Sequence, residues 1–287
     1  MKKMRAILAG LLLACVMPFA AQAVQETPTV EVLEPVQTEL PAQVQIVQQQ
    51  QLPQNLSVLP MAQMGKTYAQ QKAEELKANC KRAYLTFDDT VSEVTIQMLD
   101  TMKQYGVHAT FFVTGKADPD ILRRIQEEGH AVGNHTTSHD YKKLYSSSAG
   151  FWADFNEQQE YLNSVLGYYP TIMRFPGGSN NTVSHKYGGK NIMYQLAREV
   201  TNAGYTYFDW NVSPEDATSK PLPASTISQR VLSQAKGKKD IIVLMHDSAP
   251  RSTSAQALPA IIEGLQAQGF VFLPLTEDSF NRQFLTP

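Results

Sequence analysis

From about Cys80 onward the chain repeats one pattern. A short apolar run, rich in β-branched and aromatic residues, is followed by a longer stretch with apolar positions three and four apart, usually closed by glycine. The apolar runs at 83–87, 109–113, 131–133, 171–174, 205–210, 241–245 and 271–275 read as strands. The stretches at 92–105, 119–128, 151–166, 191–203, 225–235 and 255–268 read as helices. Gly106, Gly129, Gly204 and Gly269 stop four of them, and Asp118-Pro119 starts another. Strands this uniformly apolar, alternating with helices, imply a parallel sheet covered on both faces. About seven strands suggests a closed or nearly closed barrel. Periodicity alone leaves a doubly wound open sheet equally available.

The first 79 residues follow a different pattern. Lys2, Lys3 and Arg5 precede an apolar run from Ala6 to Cys15, and Ala21-Gln22-Ala23 has the small-x-small form of a leader cleavage site. Residues 1–23 therefore read as a signal peptide, with an uncleaved anchor or lipid attachment at Cys15 as alternatives. Residues 24–79 read as a linker. Seven glutamines lie between positions 43 and 54, and prolines 28, 35, 41, 53 and 60 interrupt any period. A possible lead-in helix spans 68–80. The working domain is then 80–287, exported to periplasm, cell wall or medium. No later apolar run is long enough to span a membrane.

Composition narrows the function classes. The net charge is −2, or −5 once the three leader cations are removed, so nothing marks a nucleic-acid binder. Cysteine occurs twice, and Cys80 alone survives leader removal, so no intrachain disulfide scaffold is available.

The informative polar residues sit where strands end. Asp88 and Asp89 close the first strand, where two like charges are costly unless a cation or proton separates them. The same pair also reads as an Asx turn or helix cap. His135 and His139, four apart, can grip one metal ion from one side of a turn. The zincin pattern needs Glu directly after the first His, and Thr136 stands there. Two His and one Asp would leave a metal position open for water. Arg174-Phe175-Pro176-Gly177-Gly178 supplies a permanent cation and a backbone a ligand can approach closely. Met245-His246-Asp247 ends the most apolar strand, and its His can act as a general acid. Asp216 is placed to pair with His246 and raise its pKa. Each motif taken singly has a bland reading as turn, cap or core edge.

Together, T-F-D-D at 86–89, H-T-T-S-H at 135–139, R-F-P-G-G at 174–178, W-N-V-S-P-E-D at 210–216 and L-M-H-D at 244–247 resemble the polysaccharide deacetylases of carbohydrate esterase family four, the NodB-homology domain, over roughly residues 80–280. The resemblance implies a distorted (β/α)7 barrel and one divalent metal, zinc before cobalt or nickel. It implies Asp89, His135 and His139 as metal ligands and Asp88 as general base oriented by Arg174. Gly177 would supply an oxyanion N–H, and His246 tuned by Asp216 would be the general acid. Leu244, Trp210 and Pro176 would line the substrate pocket. The implied reaction is removal of an N-acetyl group from an N-acetylglucosamine-type glycan, peptidoglycan first, by a monomer. Alternatives are a deacetylase or esterase for another envelope or chitin-like polysaccharide, and an inactive glycan-binding module.

Three positions depart from the family pattern. Thr90 stands where Gly is common, Gly177 where Tyr is frequent, and Ala217 where Trp is frequent. The two missing aromatics put the usual sugar contacts in doubt. Tyr141, Tyr145, Trp152 and Trp210 are candidates to replace them.

Overall fold

The central strand β1 (Lys81–Asp89) dictates the rest of the architecture. The structure, a computed structural model, describes residues 80–286. The expected leader, the linker and most of the lead-in helix lie outside the described residues. In β1 the side chains alternate between two buried environments. Ala83, Leu85 and Phe87 pack outward against Met98, Leu99 and Met102 of α1 (Glu93–Tyr105). Tyr84 points the other way, into a second cluster with Phe112, Phe208 and Ile242. A strand buried on both sides has no polar face, which is why its sequence reads as a continuous apolar run.

The following elements repeat this unit. β2 (Thr110–Val113), α2 (Pro119–Glu127), β3 (Ala131–Asn134), α3 (Tyr141–Tyr145) and α4 (Ser148–Leu166) lead to β4 (Ile172–Met173). Then come α5 (His185–Gly188), α6 (Ile192–Asn202), β5 (Thr206–Tyr207), α7 (Ala224–Ala235), β6 (Asp240–His246), a 3-10 turn (Ala249–Arg251), α8 (Ser252–Ala267) and β7 (Phe270–Phe272). All pairings are parallel, in the order β5-β4-β3-β2-β1-β6, with β7 on the first residues of β1. Beyond β5 the chain swings across to β6. The Val212 N–H donates to the Ile242 carbonyl at 3.2 Å, and the Val212 carbonyl accepts from Leu244 N–H at 2.9 Å. That isolated bridge, Val212 to Val243, joins the two ends of the curled sheet. The result is a distorted (β/α)7 barrel, and the open doubly wound alternative falls away.

Three strands, β4, β5 and β7, are shorter than the sequence suggests by two residues or more, β7 ending at Phe272. β5 stops at Tyr207, not Trp210, because the Asp209 N–H turns to the carbonyl of Arg282 in the C-terminal tail. β4 is two residues long: the Arg174 N–H still donates to the Asn134 carbonyl at 3.0 Å, but the Arg174 carbonyl accepts from His135 Nδ1 instead of a strand. The one-turn helices α3 and α5 carry too few residues to show a period, and the sequence reading passes over both. Among the described residues, no helix is long and apolar enough to cross a membrane.

Candidate active site

Parallel strands present all their C-terminal ends on one side of the sheet. Asp88 and Asp89, His135 to His139, Arg174 to Ser179 and His246 therefore gather at one end of the barrel. Asp88 and His246 are register partners on adjacent strands.

Asp88 is held from within the barrel. The fully buried Arg174 guanidinium donates Nη1 to Asp88 Oδ1 and to Thr86 Oγ1, both at 2.7 Å. Its Nε donates to the Phe208 carbonyl at 2.9 Å and its Nη2 to the Asp209 carbonyl at 3.3 Å. The plane lies over the Phe112 ring, 4.3 Å from the centroid. A planar cation with each side committed this way cannot swing, so it fixes one carboxylate oxygen and leaves Oδ2 for chemistry. Oδ2 lies 3.7 Å from His135 Nε2.

Asp89 would point away from Asp88 in a regular strand. Its backbone instead adopts φ 97°, a left-handed conformation that re-aims the carboxylate. His139, with φ 51°, turns back in the same manner. One ligand atom from each of Asp89, His135 and His139 then lies within 4.8 Å of the others. The Nδ1–H of His135 donates to the Arg174 carbonyl at 2.8 Å, leaving the Nε2 lone pair toward the cluster. Burial, reinforced by His139, pushes the His135 imidazolium down to about 3, so the ring is neutral. One carboxylate and two imidazoles, one of them fixed in the ligating tautomer, suit a borderline-soft divalent cation.

The loop bearing the two histidines is tied from below. Asp154, on the buried face of α4, accepts the backbone N–H groups of Thr137 at 2.7 Å and Ser138 at 3.0 Å. Asn134 Oδ1 accepts the Thr136 N–H at 2.7 Å.

On the β6 side, Asp216 Oδ1 accepts from His246 Nδ1 at 2.8 Å, and Oδ2 accepts from the His246 backbone N–H at 3.0 Å. Ser254 Oγ, fully buried on α8, donates to the same Oδ2 at 2.7 Å. Burial alone would lower the His246 pKa. The Asp216 bond and charge, with the charges of Asp88 and Asp89, outweigh it and raise the pKa above the ordinary value. Burial likewise works against the Asp216 carboxylate, but the His246 and Ser254 bonds prevail and hold its pKa down. Next to this pair, burial pushes the Asp247 carboxyl up to about 7, and Thr95 Oγ1 donates to it at 2.6 Å.

The expected substrate contacts separate. Leu244 lies between Ile242 and His246 on the inner face of β6, 8% exposed. Pro176 is buried, and its carbonyl accepts from Tyr145 Oη at 2.8 Å. Gly177 is exposed with φ 77°, and its N–H has no acceptor among the described residues. The ring of Trp210 packs on Gly178 and, edge-on at 5.0 Å, on Phe284. It lines a cavity of about 560 Å³ with Asn211, Gln234 and Lys238, a lining that includes no residue of the Asp/His cluster. Of the other replacement aromatics, Tyr145 is fully buried, and Trp152 donates Nε1 to Glu199 at 2.9 Å away from the cluster. Tyr141 does reach the cluster, 5.8 Å edge-on from His139. Burial, with the Asp89 charge added, raises its phenol pKa.

The sequence motifs assign no role to Thr86, and Asp154, Ser254 and Asp209 lie outside them. Asp209 accepts from Ser179 N–H at 2.8 Å and from Phe284 N–H at 2.7 Å, tying the Gly177–Gly178 turn to the C-terminal tail. A usable signal existed for Asp154, a carboxylate flanked by Phe151 and Phe155 on the apolar face of a helix. None existed for Ser254, which looks like any helix serine.

A sequence profile of the polysaccharide deacetylase family matches residues 75–195. The chain is similar to the peptidoglycan-N-acetylglucosamine deacetylase of Bacillus cereus, 32% identical over 82% of this chain and 82% of that protein. It is also similar to the peptidoglycan-N-acetylmuramic acid deacetylase PdaC of Bacillus subtilis, 34% identical over 72% of this chain, although it spans only 40% of that relative's length. Among solved structures, the catalytic domain of peptidoglycan N-acetylglucosamine deacetylase from Eubacterium rectale shares 39% identity at a TM-score of 0.68, covering 71% of this chain and 93% of that one.

Proposed function

The chain belongs to the polysaccharide deacetylase family of hydrolases, and on that premise we propose that it is an exported, metal-dependent enzyme removing N-acetyl groups from peptidoglycan. The observation that carries the reading is the placement of Asp88, clamped by Arg174, beside the Asp89, His135 and His139 ligand set at one strand-end cleft. The polymer is inferred from relatives that are peptidoglycan deacetylases, and export from the leader pattern at 1–23.

Asp89, His135 and His139 would hold the cation, zinc by the nature of the donors. When bound, it supplies Lewis-acid polarisation and a more acidic water. The remaining steps belong to the chain. Asp88 Oδ2 takes the proton of the attacking water, its partner oxygen kept still by Arg174. The Gly177 N–H donates to the oxygen that gains charge as the carbonyl carbon becomes tetrahedral. His246, protonated and held by Asp216, gives its proton to the leaving nitrogen. Acetate departs and a free amino sugar remains. Leu244 walls the acetyl methyl. The protein acts as a monomer.

The test is acetate release by the purified full chain, with peptidoglycan and N-acetylglucosamine oligomers assayed side by side. Release from peptidoglycan that stops with a chelator and returns with zinc is the expected result. Release from chitin oligomers alone reassigns the substrate to a chitin-like glycan. Binding without release points to a glycan-binding module.

A further inference from the structure

The volume a side chain would fill at Gly177 is occupied by another residue. A Cβ built on Gly177 would lie 2.4 Å from Tyr141 Oη, 3.0 Å from Cε1 and 3.1 Å from Cζ. Glycine is thus needed at 177 twice, for its φ of 77° and for the phenol that presses against it. The phenol arrives from 36 residues upstream. Asp140 caps α3 by accepting the N–H groups of Lys142 and Lys143, at 2.8 and 3.2 Å, which sets Tyr141 at the start of the helix. The ring is then wedged between His139, 5.8 Å away, and Tyr145, 5.6 Å away, both edge-on. Tyr145 is itself anchored to the Pro176 carbonyl, so both ends of the contact are tied to the 174–178 turn.

Neither the Tyr141 hydroxyl nor the N–H of Gly177, the residue it packs on, has a hydrogen-bond partner among the described residues. Packing alone would be served as well by phenylalanine. Two donors on touching residues, both reached by solvent and uncommitted within the chain, are available to an acceptor that enters the cleft.

We propose that Tyr141 is a catalytic residue, its O–H donating, beside the Gly177 N–H, to the acyl oxygen that becomes negative during deacetylation. The inference rests on the deacetylase reading given above. A bond to an oxygen that gains charge is stronger in the transition state than in the ground state, so its loss falls on kcat. The ring also gives the cleft an aromatic wall where Gly177 supplies none.

The experiment compares full-length wild type with Tyr141→Phe on N-acetylglucosamine oligomers, reading kcat and KM separately together with metal content and thermal midpoint. The expected result is a kcat lower by about 10–100-fold, somewhat below the loss seen at enclosed oxyanion sites because Gly177 is exposed to solvent. KM, metal content and melting stay at wild-type values, since the ring remains. Wild-type kcat in the variant overturns the proposal, as does a rise in KM alone, which would place the hydroxyl on the ground-state sugar. A kcat loss accompanied by metal loss also overturns it, because Tyr141 would then act by supporting His139. Failure of the wild type itself to release acetate from any acetylated glycan overturns the underlying reading, and is seen before any variant is compared.

Discussion

Asp88 and His246 sit at the same register level on adjacent strands, each clamped by a buried partner of opposite charge, yet the two clamps differ in kind. Asp88 is held by a guanidinium, which stays charged at every working pH and is locked by two backbone carbonyls. His246 is held by a carboxylate, in a pair that keeps or releases one proton. The first arrangement fixes an orientation and the second sets a titration. The pH response of the reaction should therefore originate on the β6 side, and the geometric tolerance on the β1 side.

The comparison breaks most sharply at Asp88. Asp88→Asn should lower kcat by about 10²–10⁴-fold while metal content and fold persist, measured by acetate release and metal analysis. If metal is lost as well, Asp88 is a ligand and the contrast between the two sides fails. Next comes Arg174→Leu, which leaves the Asp88 charge buried without its partner. A loss of about 3–5 kcal/mol of stability is expected in denaturant unfolding, with activity falling too. A well-folded Arg174→Leu protein would show the clamp to be dispensable.

The β6 side should respond through pH. In the proposed reaction His246 acts protonated, and its pKa is raised, so activity should persist above the ordinary histidine range and fall as pH climbs through the raised value. Asp216→Asn removes the main source of that rise. The alkaline limb of the kcat/KM profile should then move to lower pH, with a loss of about 10²-fold. An unmoved limb would assign the titration to another group. The smallest effect is expected at Ser254→Ala, which removes one bond to Asp216, worth about 1.5–3 kcal/mol. It should move the same limb by less, and Ser254→Thr should restore it.

What the sequence makes legible is whatever one segment declares by itself. Leu85 and Phe87, or Ile241, Val243 and Met245, announce strands because both their faces are buried. The reacting groups follow directly on those runs, so strand ends and chemistry are read together. Illegible is whatever depends on two distant segments meeting. Ser254 reaches Asp216 across 38 residues, and Thr86 receives Arg174 across 88. The short α3, which delivers Tyr141 to Gly177, has no period to betray it. The expected role of Trp210 illustrates the same limit. Its motif position is plain, but its packing on Gly178, near Arg174 and against the Phe284 tail joins segments far apart in the chain.

The backbone at Asp89 has a consequence for how variation there is read. A φ of 97° is tolerated by glycine and, among side-chain-bearing residues, best by asparagine and aspartate. Folding and the proposed ligand role therefore favour the same residue for unrelated reasons. A pool of random replacements sorted for stability alone would already favour Gly, Asn and Asp at this position, so retention of Asp in such a pool carries no information about catalysis. The informative contrast is Gly against Asp in a pool sorted for acetate release, because glycine satisfies the backbone and removes the proposed ligand.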